Sequence, residues 1–277
     1  MKKEPLVSVT IPSRNSEKFL DKCLEAINLQ TYKNIEIIIV DGNSKDKTKQ
    51  IAEKYNVNEF INYEYALLGA RFEGVKKSKG DLILLLDSDQ ILEDSAIERA
   101  VKQMEKYDGL ILEEKVYNNK TFIEKLFKLD RELVHKVKDF SPYTGVMLPR
   151  FYKKNVLESA FNNIPKDLLR NVGGQDHAII YFEVWNKTQR IGFLENAVFH
   201  IEPSDFKTMW KKFYRWGYTS TSAHHGKYEE MLRKKERFRK GLFQKDNIKE
   251  SFASILLLLI KGIPYKLGYL VGKYVSK

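Results

Sequence analysis

Residues 80–90, GDLILLLDSDQ, end a nearly unbroken apolar run in two aspartates, Asp87 and Asp89. Carboxylate oxygens are hard ligands, so a pair at this spacing can share a divalent cation with the oxygens of a diphosphate. A capped turn uses the same residue types for local hydrogen bonds, so the pair takes its meaning from its surroundings. Two other acids stand in comparable places. Asp41 closes the apolar run 35–40, IEIIIV, and Asp176 follows Gly173, Gly174 and Gln175 just ahead of a helical pattern through Ile179, Ile180, Phe182 and Val184. Asp176 has the position of a helix N-cap and also the chemistry of a general base. His200 closes a further apolar segment, 196–199; a lone histidine is commonly structural, and a neutral imidazole also suits a borderline cation such as Mn2+.

A run as apolar as 80–86 reads as a strand buried on both faces of a parallel sheet. Acids at its carboxyl end lie where open α/β sheets bind ligands. The neighbouring elements must supply that sheet. Residues 6–15, LVSVTIPSRN, run from a β-branched strand into a Pro-Ser loop, and 17–30 carry Phe19, Leu20, Cys23, Leu24 and Ile27 at helical spacing. Strand 35–40 stops at DGNSKDKT, whose Ser and Asp residues can cap a helix beginning near Asp46; Asp41 could itself be that cap. Strands alternating with helices predict a doubly wound, mostly parallel α/β sheet with right-handed crossovers, gathering Asp41, Asp87 and Asp89 at one edge. No G-x-G-x-x-G and no P-loop pattern occurs, so phosphates would be held by metal and side chains.

In this order, VSVTIPSRN, LQTYKNIEIIIVDGNSKDKT and GARFEGVKKSKGDLILLLDSD resemble the family 2 glycosyltransferases, over roughly the first two hundred residues. The resemblance implies the GT-A fold, a Rossmann-like nucleotide-diphospho-sugar transferase sheet flanked by helices. It also implies metal-dependent, inverting transfer from a UDP- or GDP-sugar, with Mn2+ or Mg2+ as cofactor. By the same resemblance Pro12, Arg14, Asp41 and Arg71 surround the donor base, Asp87 lies near ribose and metal, and Asp89 binds the metal with His200 beside it. Arg71 could otherwise be an ordinary surface cation on an amphipathic helix. Asp176 stands where the family has its catalytic base, usually written Glu-Asp and here Gln175-Asp176. The segment 212–216, KFYRW, is similar to the QxxRW of processive members with Lys212 in place of Gln, which would put Arg215 and Trp216 near acceptor or diphosphate. Those polymerases carry several spanning helices that this chain lacks, so transfer of a single sugar is expected. Thr144, Gly145 and the backbone near Met147 would by analogy line the sugar site. A non-catalytic nucleotide- or glycan-binding protein on the same fold is the alternative, which the joint presence of Asp87, Asp89 and Asp176 disfavours.

The 277 residues, 43% hydrophobic, suffice for one catalytic domain, expected at 1–205, and an extension at 206–277. Cys23, the only cysteine, excludes an intrachain disulfide and points to a reducing cytosol. The N-terminus has no signal pattern, so catalysis is expected on the cytoplasmic side. The net charge of +11 is concentrated: residues 207–249 hold 13 Lys or Arg against 4 Asp or Glu, interleaved with Trp210, Phe213, Tyr214, Trp216, Tyr218 and Phe238. Residues 252–272, FASILLLLIKGIPYKLGYLVG, are apolar but interrupted by Lys261, Pro264 and Lys266. The uninterrupted part is too short to span a bilayer, which takes roughly 20 residues. Two interfacial helical pieces broken at 262–264 are expected, with Lys261 and Lys266 snorkelling. Residues 207–277 are thus expected to contact the cytoplasmic face of a membrane peripherally, serving a lipid-linked or cell-surface glycan acceptor and no nucleic acid. A packed helix or a homo-oligomer interface is the other use of such a segment. The pair His224-His225 offers no chelating i, i+4 face.

Overall fold

The computed structural model describes residues 4–224, 226–237, 243 and 245–275. His225 and Phe238 therefore lie outside the described residues. The chain forms two compact units: Met1–Glu114 with Pro149–Arg170 and Ile180–Ile201, and Lys115–Leu148 with Asn171–Ile179 and Glu202–Lys277. The last segment of the second unit begins at Glu202. The second unit also recruits two earlier segments, because helix 122–137 buries Ile123, Leu126 and Phe127 among residues of the C-terminal helices.

The first unit is an α/β sheet in the order β3-β2-β1-β4-β7-β6-β8-β5. β1 (Val7–Ser13), β2 (Ile35–Asp41), β3 (Glu59–Asn62) and β4 (Leu82–Leu85) run parallel, joined through α1 (Leu20–Asn28), α2 (Thr48–Lys54) and α3 (Leu67–Lys77). β5 (Gln90–Leu92) pairs antiparallel with β8 (Ile191–His200). β6 (Gly109–Val116) and β7 (Phe151–Lys153) continue the sheet in antiparallel sense. α4 (Ala96–Gln103), α6 (Lys154–Phe161) and α7 (Lys166–Asn171) complete the flanking helices, and α8 (Asp176–Trp185) leads into β8. The spacing read from the sequence is the packing: Leu20, Cys23, Leu24 and Ile27 of α1 are buried with Val7, Val9 and Ile11 of β1 and Ile37 and Ile39 of β2. Burial pushes the Cys23 thiol well above its ordinary range, an inert core position.

The second unit is helical. α5 (Phe122–Val137) starts in a capping box, Thr121 accepting from the Glu124 backbone N–H while the Glu124 side chain accepts from the Thr121 N–H. α9 (Phe206–Ser220), capped by Asp205, and α10 (Lys227–Arg237) precede α11 (Ile248–Val275). α11 is one continuous helix of 28 residues with Pro264 inside it, not the two pieces expected from 262–264. A proline forfeits one backbone hydrogen bond, and here burial of Leu257, Pro264, Gly268 and Gly272 on both sides of the defect holds the helix together. Lys261 does not snorkel outward. Its ammonium lies 3.7 Å from the buried Asp130 carboxylate of α5 and 5.8 Å from the centre of the Phe213 ring.

Candidate active site

β2, β1 and β4 are neighbours in the sheet, so their carboxyl ends meet at one edge. Asp41, the buried last residue of β2, accepts from the backbone N–H and the hydroxyl of Ser44 at 2.7 and 2.6 Å. It fixes its own turn; α2 has no side-chain cap, and Asp46, two residues ahead of it, accepts from the Thr48 N–H at 3.1 Å. The loops after β1 and β2 are locked together. Asn15 N–H donates to Ser44 Oγ at 2.7 Å, and Lys45 N–H donates to Asn15 Oδ1 at 2.9 Å. Both loops turn on an asparagine in the left-handed region, Asn15 at φ 52° and Asn43 at φ 58°, which asparagine tolerates better than most residues. The Arg14 stem packs over Gly42, where an added Cβ would come within 3.2 Å of Cδ. Pro12, opposite Val40 in the sheet register, stands just ahead of that loop.

Asp87 follows β4 and is gripped from two sides. Arg71 Nη2 lies 2.5 Å from Oδ1, and Arg150 Nη1 lies 2.8 Å from Oδ2. Arg71, on α3, is 2% exposed, an interior cation rather than a surface one. Arg150, just before β7, also reaches Glu114 at 3.4 Å; Glu114 accepts from Gln90 Nε2 at 3.0 Å, and Gln90 Oε1 accepts from the Asp87 N–H at 2.9 Å. The ring Asp87, Arg150, Glu114, Gln90 closes on itself. Arg150, Glu114 and Gln90 escaped the sequence reading because each comes from a different strand or loop, and only the register Gln90 opposite His200 and Leu110 opposite Phe151 brings those strands together.

Asp89 and His200 lie side by side, with His200 Nε2 3.5 Å from Asp89 Oδ1. The Ile201 N–H donates to the Asp89 carbonyl at 2.9 Å, pinning the turn to the end of β8. Among the described residues no group of three His, Cys, Asp or Glu side chains could hold a metal ion. One carboxylate and one imidazole at this separation fit a divalent ion that takes its remaining ligands from diphosphate oxygens and water, not an all-protein cage.

In the second unit, Asp176 is the largely buried first residue of α8, its Oδ2 3.8 Å from His177 Nε2. A carboxylate at a helix N-terminus is favoured by the helix dipole. The preceding turn is built for the position. Gln175 adopts φ 65°, a strained region for a residue of its size, and its Nε2 donates to the Tyr265 hydroxyl of α11 at 3.3 Å. Gly173 and Gly174 lie against α9, where added Cβ atoms would meet Thr219 at 2.9 Å and Ser220 Oγ at 2.6 Å. Arg215 and Trp216 are on α9; Trp216 is exposed and edge-on to Phe213, so it is not a core residue. Thr144 donates to Asp139 at 2.7 Å, and the Gly145 carbonyl accepts from Lys235, whose ammonium is lowered to about 8 by burial, against the opposing attraction of Asp139. Met147 is buried.

The sequence model described as "Glycosyl transferase family 2" matches residues 8–162. Glycosyltransferase GlyG of Streptococcus pneumoniae is 33% identical over 119 residues, 41% of this chain and 40% of GlyG. A Campylobacter jejuni enzyme named GalNAc(5)-diNAcBac-PP-undecaprenol beta-1,3-glucosyltransferase is 27% identical over 169 residues, 56% of this chain and 54% of that protein. The chain thus spans about half or less of the length of these relatives. Among solved structures, Staphylococcus aureus TarS 1–349 in complex with UDP-GlcNAc superposes with TM-score 0.58 at 18% identity, covering 94% of this chain and 81% of that one. Mycobacterium tuberculosis glucosyl-3-phosphoglycerate synthase, solved with Mn2+, UDP and phosphoglyceric acid, gives TM-score 0.55 at 16% identity, with 80% and 79% covered. These likenesses establish the GT-A glycosyltransferase fold.

Proposed function

Because the chain belongs to glycosyl transferase family 2, we propose that this glycosyltransferase moves a single sugar from a UDP- or GDP-sugar to a lipid-linked or cell-surface glycan acceptor, inverting the anomeric centre. The observation that carries the reading is the convergence of Asp41, Asp87 and Asp89 at the carboxyl ends of adjacent strands, with His200 beside Asp89. Asp41, held by Ser44, presents its carboxylate to a ring nitrogen of the base, with Pro12 and Arg14 bordering it. Asp87, oriented by Arg71 and Arg150, takes the ribose side. Asp89 and His200 would hold Mn2+ or Mg2+, whose chemistry when bound is to neutralise charge on the diphosphate. Asp176 takes the proton from the acceptor hydroxyl, and Arg215 and Trp216 serve acceptor or diphosphate. The undecaprenol-linked substrate in the Campylobacter relative's name supports a lipid-linked acceptor and a membrane-peripheral, cytoplasmic-face location.

Thermal-shift measurements with UDP, GDP and their sugars, with and without Mn2+, test the donor, since a ligand bound only by the folded state stabilises it. A metal-dependent shift with one nucleotide, lost in Asp89→Ala, is expected; no shift with any nucleotide would overturn the reading. Asp176→Asn should lower turnover by about 10²- to 10⁴-fold while leaving donor affinity nearly intact, as removal of a general base does. A loss confined to donor binding would take Asp176 out of that role.

A further inference from the structure

α9 and α11 are packed in parallel at backbone contact. Gly217 of α9 faces the carbonyl of Tyr265, Gly268 of α11 faces that of Tyr214, and Gly272 lies against that of Tyr218. What the pair buries is settled by this seam and by α5; what it leaves outside is unusual in composition. Along α11, Phe252, Ile255, Leu259, Ile263, Leu267, Leu270 and Tyr274 are exposed, Phe252 at 68% and Leu259 at 63%. Successive members are three or four residues apart, so they form one ridge over about 33 Å at 1.5 Å per residue. α9 adds an aromatic row at strict i, i+4 spacing, Phe206, Trp210, Tyr214 and Tyr218, whose last two members lie on the seam with α11. One position further along each turn, Lys207, Lys211 and Arg215 form an exposed basic row. Neither α9 nor α11 beyond Glu250 contains an Asp or Glu.

We infer that this α9–α11 face is a docking surface for an anionic lipid bilayer, with α11 lying lengthwise in the headgroup boundary. The inference deepens, and rests on, the reading that the acceptor is held at a membrane. An apolar ridge, an aromatic row and cations are the three elements of interfacial binding, and anionic lipid supplies the charge that this acid-free face lacks. A second copy would set Lys266 and Lys273 against lysines of the same kind, and the one carboxylate of α11, Glu250, is taken by Lys136 of α5 at 3.4 Å. Length and composition alone would let residues 245–275 cross a membrane. The packing argues otherwise: the Asp130 carboxylate of α5 accepts from Ser254 and faces Lys261 midway along α11, so a crossing helix would carry these charges into hydrocarbon.

The test is flotation of the full chain with phosphatidylcholine vesicles, with and without phosphatidylglycerol, following Trp fluorescence in parallel. Much stronger binding to the anionic than to the neutral vesicles, with a blue shift, is expected. Lys207→Gln with Lys211→Gln should weaken it about 30-fold, from the known gain per cation near an anionic leaflet. Trp210→Ala with Leu259→Ser, at exposed positions, should weaken it without lowering Tm. Equal binding by either double variant, a lipid-free dimer dispersed by Leu259→Ser, or retention in vesicles after alkaline carbonate would each overturn the inference. Nucleotide-dependent thermal shifts report separately: a chain that shifts with UDP but ignores vesicles loses this surface and keeps its donor site, and the reverse result removes the donor reading.

Discussion

Asp87 shows why a single side chain in this site cannot be read alone. Both of its oxygens are taken by guanidinium groups, one from a buried helix position and one from the residue before β7. Breaking such an inward pair leaves an uncompensated charge, so Arg71→Ala should destabilise the fold by about 3 kcal/mol, measured by urea unfolding. Arg150 sits on the outer side of the carboxylate and permits a finer experiment. Arg150→Met should weaken nucleotide binding roughly tenfold, measured calorimetrically, and most of that loss should vanish in an Asp87→Asn background, because residues acting through one another couple by about 0.5–3 kcal/mol. Strict additivity would mean that Arg150 acts on the donor by itself. Lys235 carries a prediction of a different kind. Its folded-state value, lowered to about 8 from 10.5, means that the unfolded chain binds the extra proton between those limits. Stability should therefore rise with pH across that window, and Lys235→Met should flatten the rise.

At the level of elements, the strands and first helices were legible because each announces itself by period. Runs such as IEIIIV and LILLLD, short and rich in branched residues, read as buried strands, and the α1 apolar spacing is the packing seen. Asp41, Asp87, Asp89 and His200 were legible for the same reason, as residues at strand ends. The antiparallel strands β6 and β7 were not, and Arg150 and Glu114 went with them, because a three-residue strand such as Phe151–Lys153 has too few residues to show alternation. The continuity of α11 through Pro264 was hidden because proline is a local signal, whereas what preserves the helix is tertiary packing along its inner face. The glycine crossings make that packing testable. Gly217→Ala or Gly268→Ala would drive a methyl into the partner helix backbone, for which a cost of about 1–3 kcal/mol and a lower Tm are expected. An unchanged Tm in both variants would mean that the two helices do not approach at these positions.

For the molecule as a whole, the excess of 48 basic over 37 acidic residues is a property with a location. Charge of this kind acts at long range and is screened within about 8 Å at physiological salt, whereas apolar insertion is indifferent to salt. Association with anionic vesicles should thus fall steeply as salt is added and then level off above zero. A profile that reaches zero would assign the contact to lysines alone. The Tyr265 hydroxyl that receives Gln175 belongs to α11, and the glycines before Asp176 rest on α9. This has a practical edge for anyone handling the protein. Trimming the chain ahead of Ile248 to improve solubility would also take away a support of the turn that carries Asp176. Replacing outward residues such as Phe252, Leu259 and Leu270 with polar ones keeps that support, and is the safer path to a well-behaved sample.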